Sequence, residues 1–341
     1  MRILYGVQAT GNGHITRARS MAPELVARGV EVDFLFSGRA PEKLFNMEVF
    51  GDYQTRQGLT FVQNHGRVAL WPTVRKNNIF RCLNDARHLD LKDYDLVLTD
   101  FEPVSAWAAK LKGVRSVGVA HQYALCYPFV GDSNRMMGAM VRLFAPCDTA
   151  IGVHWHHFNK PILPPLITPQ VHPISHDLGK VLVYLPLELP EALVVSLNSI
   201  PEVSFQVYCA VSEQNVRGNV VLNPFSRDGF QRDLAACDGV LTNCGFGLIS
   251  EALQSGKRIY SIPTVGQVEQ ESNGRVLTAL GLATVSGGYD RESILAWLSK
   301  DAPVAHTYPN VAAALANWVA EGATQPIEAL TLELWESVAQ A

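Results

Sequence analysis

A glycine-rich loop that carries a histidine lies close to the start of the chain. It reads Gly11-Asn-Gly13-His14 and is followed three residues later by Arg17. Glycines let the main chain approach a ligand, and a helix that follows such a loop offers unpaired N–H groups to an anion. The helix N-terminus also favours a neutral imidazole, which can take a proton from a hydroxyl group. We therefore expect His14 to act as a general base and Gly11, Gly13 and Arg17 to contact a substrate; a capping or hinge histidine is the alternative.

Two further polar residues follow predicted strands in the first half of the chain. Asp100 comes after the strand 96–99, and His121 comes after the strand 114–120. Ligands of doubly wound sheets bind at the carboxyl ends of the strands, so both residues are expected on the same rim as His14. Asp100 is expected either to orient the imidazole and stabilise its protonated form or to cap the helix that begins near Val104. His121 is a third candidate for contact with a ligand on this rim, although a purely structural role is favoured for it.

A nicotinamide-dependent dehydrogenase is one alternative function for a chain with this glycine-rich loop. Its Gly-x-Gly-x-x-Gly fingerprint would need a third glycine where this chain has Thr16. The second predicted strand ends in Ser37-Gly38-Arg39 and lacks the acidic residue that holds an adenosine ribose. The sequence therefore argues against a dinucleotide.

A second glycine-rich turn lies in the other half of the chain. It reads Asn243-Cys244-Gly245-Phe246-Gly247 and opens a helix that carries Glu251. Main-chain amides of such a turn can hold a diphosphate without arginines. Glu251 is expected to accept hydrogen bonds from ribose hydroxyls, with an ordinary surface carboxylate as the alternative. For Phe225, ahead of this turn, an apolar core position is favoured over stacking on a nucleobase.

The elements that would position these residues alternate between strand and helix in both halves. In the first half they include a predicted helix over 16–28 and a predicted strand over 144–153. Such alternation predicts βαβ units and parallel sheets covered on both faces. Five prolines between residues 161 and 173 exclude a helix or a central strand there and indicate a linker or an extended surface run. We predict two Rossmann-like domains, residues 1–165 and 166–341, and leave open whether the last helix returns to the first domain.

Composition narrows the classes of function and partner. The 341 residues are 48% hydrophobic and 18% charged, which excludes disorder, and the net charge of −4 argues against nucleic acid as the main partner. Residues 1–165 carry 19 basic against 14 acidic side chains, or +5, and residues 166–341 carry 9 against 18, or −9. A basic first half suits an anionic acceptor or contact with a membrane surface, although two ordinary solvated faces are favoured.

Other sequence features bear on compartment and cofactors. The six cysteines form no CxxC pair, which argues against zinc and disulfides and favours a reducing cytoplasm. We expect neither a transmembrane helix nor a signal peptide. The histidines of His154-Trp155-His156-His157 have spacing unsuited to one metal ion, so we expect hinge surface there.

Together these residues resemble the nucleotide-sugar site of GT-B glycosyltransferases, in particular the UDP-glycosyltransferases and the MurG-type N-acetylglucosaminyltransferases. The signature His-Cys-Gly-Trp-Asn-Ser-x-x-Glu of the former is similar to residues 243–251, with Glu251 in register. Its continuation Pro…Asp-Gln-x-x-Asn is similar to Pro263 followed by Glu269-Gln270-Glu271-Ser272-Asn273, in which the loop is two residues longer. Asn243 stands for the family's histidine, Phe246 for its tryptophan and Glu269 for its aspartate.

The resemblance implies an α/β protein of GT-B architecture, with two Rossmann-like domains whose parallel sheets face each other across a cleft. It implies transfer of a hexose from a nucleoside diphosphate donor, UDP-linked, to a hydroxyl acceptor with inversion at the anomeric carbon. Glu251 would then meet the ribose, Glu269 and Gln270 the donor sugar, and His14 would be the general base supported by Asp100. By this resemblance loop amides would stabilise the departing diphosphate, and neither metal nor cofactor is expected.

Two other functions remain compatible with this sequence. One is a nucleotide-sugar epimerase or hydrolase of the same fold, and the other is a protein that binds nucleotide sugars without catalysis. The donor sugar, the acceptor and the oligomeric state are left open.

Overall fold

The computed structural model describes residues 1–59, 63–64, 67–68, 78–127, 135–301 and 303–340. The described residues form two compact units. The first unit takes its residues from Met1–Val62, Ala69–Thr168 and Tyr308–Val338, and the second from Gln63–Val68, Pro169–Thr307 and Ala339–Ala341. The last two long helices of the chain therefore belong to the first unit.

Fourteen described strands build the two large sheets. In chain order they are β1 (Arg2–Gln8), β2 (Glu31–Ser37), β3 (Tyr53–Arg56), β4 (Leu96–Asp100), β5 (Ser116–Ala120), β6 (Thr149–Val153), β7 (Ile162–Leu163), β8 (Asp177–Tyr184), β9 (Ser204–Tyr208), β10 (Asn215–Arg217), β11 (Val220–Asn223), β12 (Cys237–Asn243), β13 (Arg258–Ile262) and β14 (Thr284–Val285). Two further short pairs join Gln63–Asn64 to Arg67–Val68 and His306–Thr307 to Ala339–Gln340.

The described α-helices are α1 (Asn12–Ala27), α2 (Ile79–His88), α3 (Pro103–Lys112), α4 (His121–Ala124), α5 (Arg135–Phe144), α6 (Pro190–Asn198), α7 (Arg227–Ala236), α8 (Phe246–Gln254), α9 (Val268–Ala279), α10 (Arg291–Leu298), α11 (Val311–Ala320) and α12 (Ile327–Glu336). Two single turns of 3₁₀-helix, Pro41–Lys43 and Glu48–Phe50, lie between β2 and β3.

The first unit is built on a seven-stranded sheet in the order β3-β2-β1-β4-β5-β6-β7, with parallel pairing throughout. The second has the order β10-β11-β9-β8-β12-β13-β14, with β10 as its one antiparallel strand. Because helices cover parallel sheets on both faces, the central strands are apolar along their whole length, as in the fully buried run Val181, Leu182 and Val183. The predicted α/β fold with two Rossmann-like sheets is confirmed.

Two predicted elements differ from those observed. The first helix was expected over 16–28, but α1 begins at Asn12, so His14 lies inside its first turn. A strand was expected over 144–153, but residues up to Phe144 complete helix α5, and only Thr149–Val153 is strand. Pro146 explains the break, because proline cannot continue a helix and disfavours helical backbone at the residue before it.

No helix among the described residues is long and apolar enough to cross a membrane.

Candidate functional site

The first candidate site lies where β1 and β4, two neighbouring strands of the first sheet, end. Val7 of β1 pairs with Asp100, the last residue of β4, and α1 begins four residues after β1 ends. This topology places His14, in the first turn of α1, beside Asp100. His14 Nδ1 lies 2.6 Å from Asp100 Oδ1, and the carboxylate has no exposed surface. The structure thus brings together two residues that are 86 positions apart in the chain.

Arg17 completes this cluster of charged side chains. Its Nε donates to Asp100 Oδ2 at 2.9 Å, and its Nη2 donates to Asp100 Oδ1 at 2.6 Å. Burial acts to raise the pKa of Asp100, but the charges and hydrogen bonds of Arg17 and His14 prevail and hold that pKa below its ordinary value. Asp100 is therefore a buried, ionised carboxylate. The structure assigns the Arg17 side chain, which is 6% exposed, to this carboxylate; the substrate contact expected of Arg17 stays a prediction.

Glu102, and not Asp100, caps the helix α3, although capping was one of the two roles considered for Asp100. The carboxylate of Glu102 accepts hydrogen bonds from the main-chain N–H groups of Val104 (2.8 Å) and Ser105 (2.6 Å) at the start of α3. It also accepts one from the hydroxyl group of Ser37 at 2.6 Å. Burial raises the pKa of Glu102 although these donors lower it. The capping alternative for Asp100 is thus wrong, and its carboxylate serves His14 and Arg17.

The glycines of the first loop leave space in front of it. A β-carbon built at Gly11 or Gly13 would meet no atom within 4 Å. At Gly6, by contrast, a β-carbon would collide with the side chain of Ser105. Gly6 is therefore needed for packing, whereas Gly11, the N-cap of α1, and Gly13, in its first turn, border open space close to His14.

The ligand contact expected of His121 is not supported by its position. His121 begins the short helix α4, which packs against β6, and its side chain has no exposed surface. Its Nδ1 lies 2.9 Å from the carbonyl oxygen of Val153, and its ring lies 4.8 Å from the ring of His154. A strand end specifies the edge of a sheet but not whether a side chain points out of the core. His121 is a core residue.

Residues 154–157 were predicted to form hinge surface, and this prediction is wrong for His154 and Trp155, because both side chains are buried. His156 and His157 are partly exposed and stack on each other with their ring centroids 4.7 Å apart. Within the described ranges, no group of three or more His, Cys, Asp or Glu side chains could hold a metal ion.

The second candidate site lies at the end of β12 and the start of α8, in the second unit. Asn243 ends the strand, and its side-chain amide donates to the carbonyl oxygen of Ile262 on the neighbouring β13 at 3.0 Å. Gly245 occupies the N-cap position of α8 and supplies no side-chain cap, and a β-carbon there would meet no atom within 4 Å. The turn therefore presents the N-terminus of a helix to open space, which is the usual geometry of an anion site.

Buried contacts fix the turn from behind. The side-chain amide of Asn273 on α9 donates to the carbonyl oxygen of Cys244 at 2.9 Å, and the Ser261 hydroxyl lies 3.0 Å from the Cys244 sulfur. Burial raises the pKa of the Cys244 thiol to about 11. The side chains of Cys244 and Phe246 are buried, so these two residues can offer a ligand only their main-chain groups. Gly247 lies beside Phe246 in the first turn of α8.

Glu251 lies two turns into α8 with its carboxylate partly shielded. Its Oε2 accepts a hydrogen bond from Gln231 Nε2 of α7 at 2.8 Å, and burial raises the pKa of the carboxyl group while Gln231 and Arg227 lower it.

Phe225, expected in the core, is 54% exposed instead, so the core prediction is wrong.

The first turn of α9 holds the loop that follows β13. Gln270 Oε1 accepts from the main-chain N–H of Thr264 at 2.8 Å, and Glu271 Oε1 accepts from that of Gly266 at 2.9 Å. Glu269, in the same turn, is partly exposed. The structure thus places Glu269 and Gln270 on an element that Asn273 joins to the Cys244 turn.

The sequence did not predict two contacts of the site residues, namely that of Arg17 with Asp100 and that of Gln231 with Glu251. The spacing of three between His14 and Arg17 places both side chains on one face of a helix and was a usable signal. The contact between Gln231 and Glu251 joins separate helices and has no local signature.

Comparison with known proteins identifies the family and supports the fold. A family model described as glycosyl transferase family 1 matches residues 1–300. No curated protein matches the chain. Among solved structures, the glycosyltransferase SnogD of Streptomyces nogalater is similar at 16% identity and a TM-score of 0.55, over 98% of this chain and 99% of its own. The glycosyltransferase SsfS6 of Streptomyces sp. SF2575, complexed with thymidine diphosphate, is 15% identical with a TM-score of 0.56, over 99% of this chain and 100% of its own.

A plant protein has the same fold. UGT89C1 of Arabidopsis thaliana, complexed with UDP, is 14% identical with a TM-score of 0.58, over 100% of this chain and 95% of its own. Both units therefore have the GT-B arrangement of strands and helices that the sequence predicted. Because the family model covers most of its length, the chain belongs to glycosyl transferase family 1 and is a glycosyltransferase.

Proposed function

We propose that this enzyme transfers a hexose from a nucleoside diphosphate donor, UDP-linked, to a hydroxyl group of its acceptor, with inversion at the anomeric carbon and without a metal ion. The observation that carries the proposal is the 2.6 Å contact between His14 Nδ1 and the buried Asp100 carboxylate, beside a loop whose glycines border open space. A histidine held in this way has a defined role as a proton acceptor.

In the proposed reaction, His14 donates its Nδ1–H to Asp100 and accepts the acceptor's hydroxyl proton at Nε2. The hydroxyl oxygen forms a bond to the anomeric carbon of the donor as the bond from that carbon to the diphosphate oxygen breaks. The nucleoside diphosphate leaves with the electron pair, and the imidazolium that forms is stabilised by Asp100. One displacement needs one base and no enzymic nucleophile, so the anomeric configuration inverts.

The second unit is proposed to hold the donor. Main-chain N–H groups at the start of α8, from Gly245 to Gly247, face the diphosphate and stabilise its growing charge, the role that a cation has in other enzymes. The UDP and thymidine diphosphate present in the structures of UGT89C1 and SsfS6 support a nucleoside diphosphate as ligand. Glu251 is proposed to accept hydrogen bonds from the ribose hydroxyls.

Three further side chains are proposed to complete the donor site. Glu269 accepts from the hydroxyls of the donor sugar, and the amide NH₂ group of Gln270 donates to them, since the Gln270 oxygen already accepts from Thr264. The exposed ring of Phe225 offers a surface on which a nucleobase can stack.

Calorimetric titration with UDP, dTDP, UDP-glucose, UDP-N-acetylglucosamine and NAD tests the donor class. We expect micromolar binding of a nucleoside diphosphate and none of NAD; binding of NAD alone would overturn the proposal. Release of UDP should then require an added hydroxyl acceptor. Rapid release of UDP and free sugar without acceptor would identify a hydrolase, and a changed sugar still linked to UDP would identify an epimerase.

A further inference from the structure

Arg17 has a role that the general-base mechanism does not by itself require. It lies three residues after His14, so both side chains leave the same face of α1. Its guanidinium engages both oxygens of Asp100, at 2.9 Å through Nε and 2.6 Å through Nη2. We propose that Arg17 is a positioning residue for the base: it supplies the countercharge of Asp100 and orients that carboxylate, so that His14 stays neutral until it takes the substrate proton. This inference rests on the proposed function of His14.

Burial of the Asp100 carboxylate has an energetic cost. A carboxylate with no exposed surface needs a cation close by, since an unpaired buried charge is strongly unfavourable. The structure offers it two groups, the guanidinium of Arg17 and the imidazole of His14. Guanidinium stays protonated under all ordinary conditions. With Arg17 present, Asp100 has a permanent countercharge without a proton on His14. Without Arg17, His14 is the cationic partner that still contacts Asp100, so the imidazolium form is favoured and the capacity of His14 as a base falls.

A neutral His14 carries its proton on one of its two ring nitrogens. His14 Nδ1 lies 2.6 Å from Asp100 Oδ1 and 2.8 Å from Arg17 Nη2. One ring nitrogen cannot donate to the carboxylate and accept from the guanidinium at the same time. A bare Nδ1 would set its lone pair against an anionic oxygen at 2.6 Å, so the proton lies on Nδ1 and Nε2 keeps the free lone pair. Arg17 then acts through Asp100, by fixing the oxygen to which Nδ1–H donates.

Other ionisable groups around this cluster do not replace Arg17. Tyr5 of β1 is buried, and burial together with Asp100 raises its pKa, so it remains a neutral phenol. Arg39 donates to the Thr10 carbonyl oxygen and to Asn12 Oδ1 in the loop ahead of His14. Among the described residues, Arg17 is therefore the cation that contacts both carboxylate oxygens of Asp100.

The experiment compares Arg17→Met, Arg17→Lys and the control Arg19→Met. Arg19 lies on the same helix but donates to the carbonyl oxygens of Phe45 and Asn46. Two readouts are used: the pH profile of kcat/KM, and the NMR titration of His14 in protein labelled with ¹³C-histidine, assigned by its loss in His14→Ala. The NMR titration needs no turnover, so it tests Arg17 even if no donor sugar is transferred.

For Arg17→Met, we expect the His14 titration and the acidic limb of the rate profile to move to higher pH together, by about one unit or more. Arg19→Met should leave both unchanged. Arg17→Lys keeps the charge but loses the two-point contact, so it should keep the acidic limb in place while kcat falls about tenfold. An unchanged His14 titration in Arg17→Met would overturn the proposal. If that variant does not fold, an Arg17→Lys enzyme with wild-type kcat would overturn it instead.

Discussion

The side-chain amide of Asn273 donates a hydrogen bond to the main-chain carbonyl oxygen of Cys244 at 2.9 Å, and Asn273 has no exposed surface. This contact joins the helix that carries Glu269 and Gln270 to the turn that precedes α8. The two parts of the proposed donor site, one for the diphosphate and one for the sugar, are therefore held together by one buried amide.

Replacing Asn273 with alanine should disturb both stability and donor binding. The Cys244 carbonyl group would lose a buried donor, which lowers the free energy of unfolding by about 1–3 kcal/mol. UDP affinity should fall as the turn loosens. Chemical denaturation and calorimetry measure the two effects, with the exposed Asn215→Ala of the same unit as control. A variant with wild-type stability would show that this bond does not hold the turn.

Gly245→Ala should separate binding from folding. The backbone of Gly245 has φ −77° and ψ 136°, which alanine adopts without strain, and the added methyl group meets no protein atom within 4 Å. The melting temperature should therefore stay unchanged, while UDP binding weakens about tenfold or more because the methyl group intrudes on the approach of the diphosphate.

Two glycines of the same unit serve as controls for that experiment. Gly287→Ala also has open space and should change neither property. At Gly239 a β-carbon would lie 2.5 Å from the Trp297 ring, so Gly239→Ala should lower stability by about 1–3 kcal/mol. Unaltered UDP affinity in Gly245→Ala would place the diphosphate elsewhere.

Glu251 should make stability depend on pH. Because burial raises its pKa above the ordinary 4.5, the folded protein binds more protons than the unfolded chain between 4.5 and that raised value. The free energy of unfolding should therefore fall as the pH rises through this window. Glu251→Gln removes the effect and should be more stable than wild type at pH 7–8.

The same substitution should weaken UDP binding about tenfold, because the ribose hydroxyls lose a charged acceptor. The exposed Glu213→Gln is the matched control for both measurements. Denaturation curves at several pH values measure the free energy of unfolding, and calorimetry measures the affinity for UDP. Lower stability of Glu251→Gln at pH 8 would contradict the direction of the shift.

Much of the fold could be predicted from the sequence because its signals are local. Parallel sheets are predicted by short apolar runs such as residues 3–7, by glycines where helices end, and by the alternation of strand and helix. Because Asp100 follows a predicted strand, the sequence also placed it on the same rim as His14. The start of α1 was predicted four residues late, because the Gly-x-Gly segment has poor helix propensity and tertiary context overrides it.

The features of the site that the sequence did not predict depend on the directions in which individual side chains point. The sequence placed His121 at a strand end, yet α4 turns its ring into the core. Phe225 was expected to be buried as an aromatic residue, but it lies on the surface. The contacts of Asn273 with Cys244 and of Gln231 with Glu251 join separate elements, and no pattern within one element encodes them.

The most direct test of the account is kcat for sugar transfer by His14→Ala, with the UDP dissociation constant measured on the same preparation. His14 is proposed to act only on the acceptor's proton, and the diphosphate is proposed to bind the second unit. The account predicts that kcat falls by about 10²–10⁴ while UDP affinity stays within about twofold of wild type. An alanine variant that transfers sugar at the wild-type rate would contradict it.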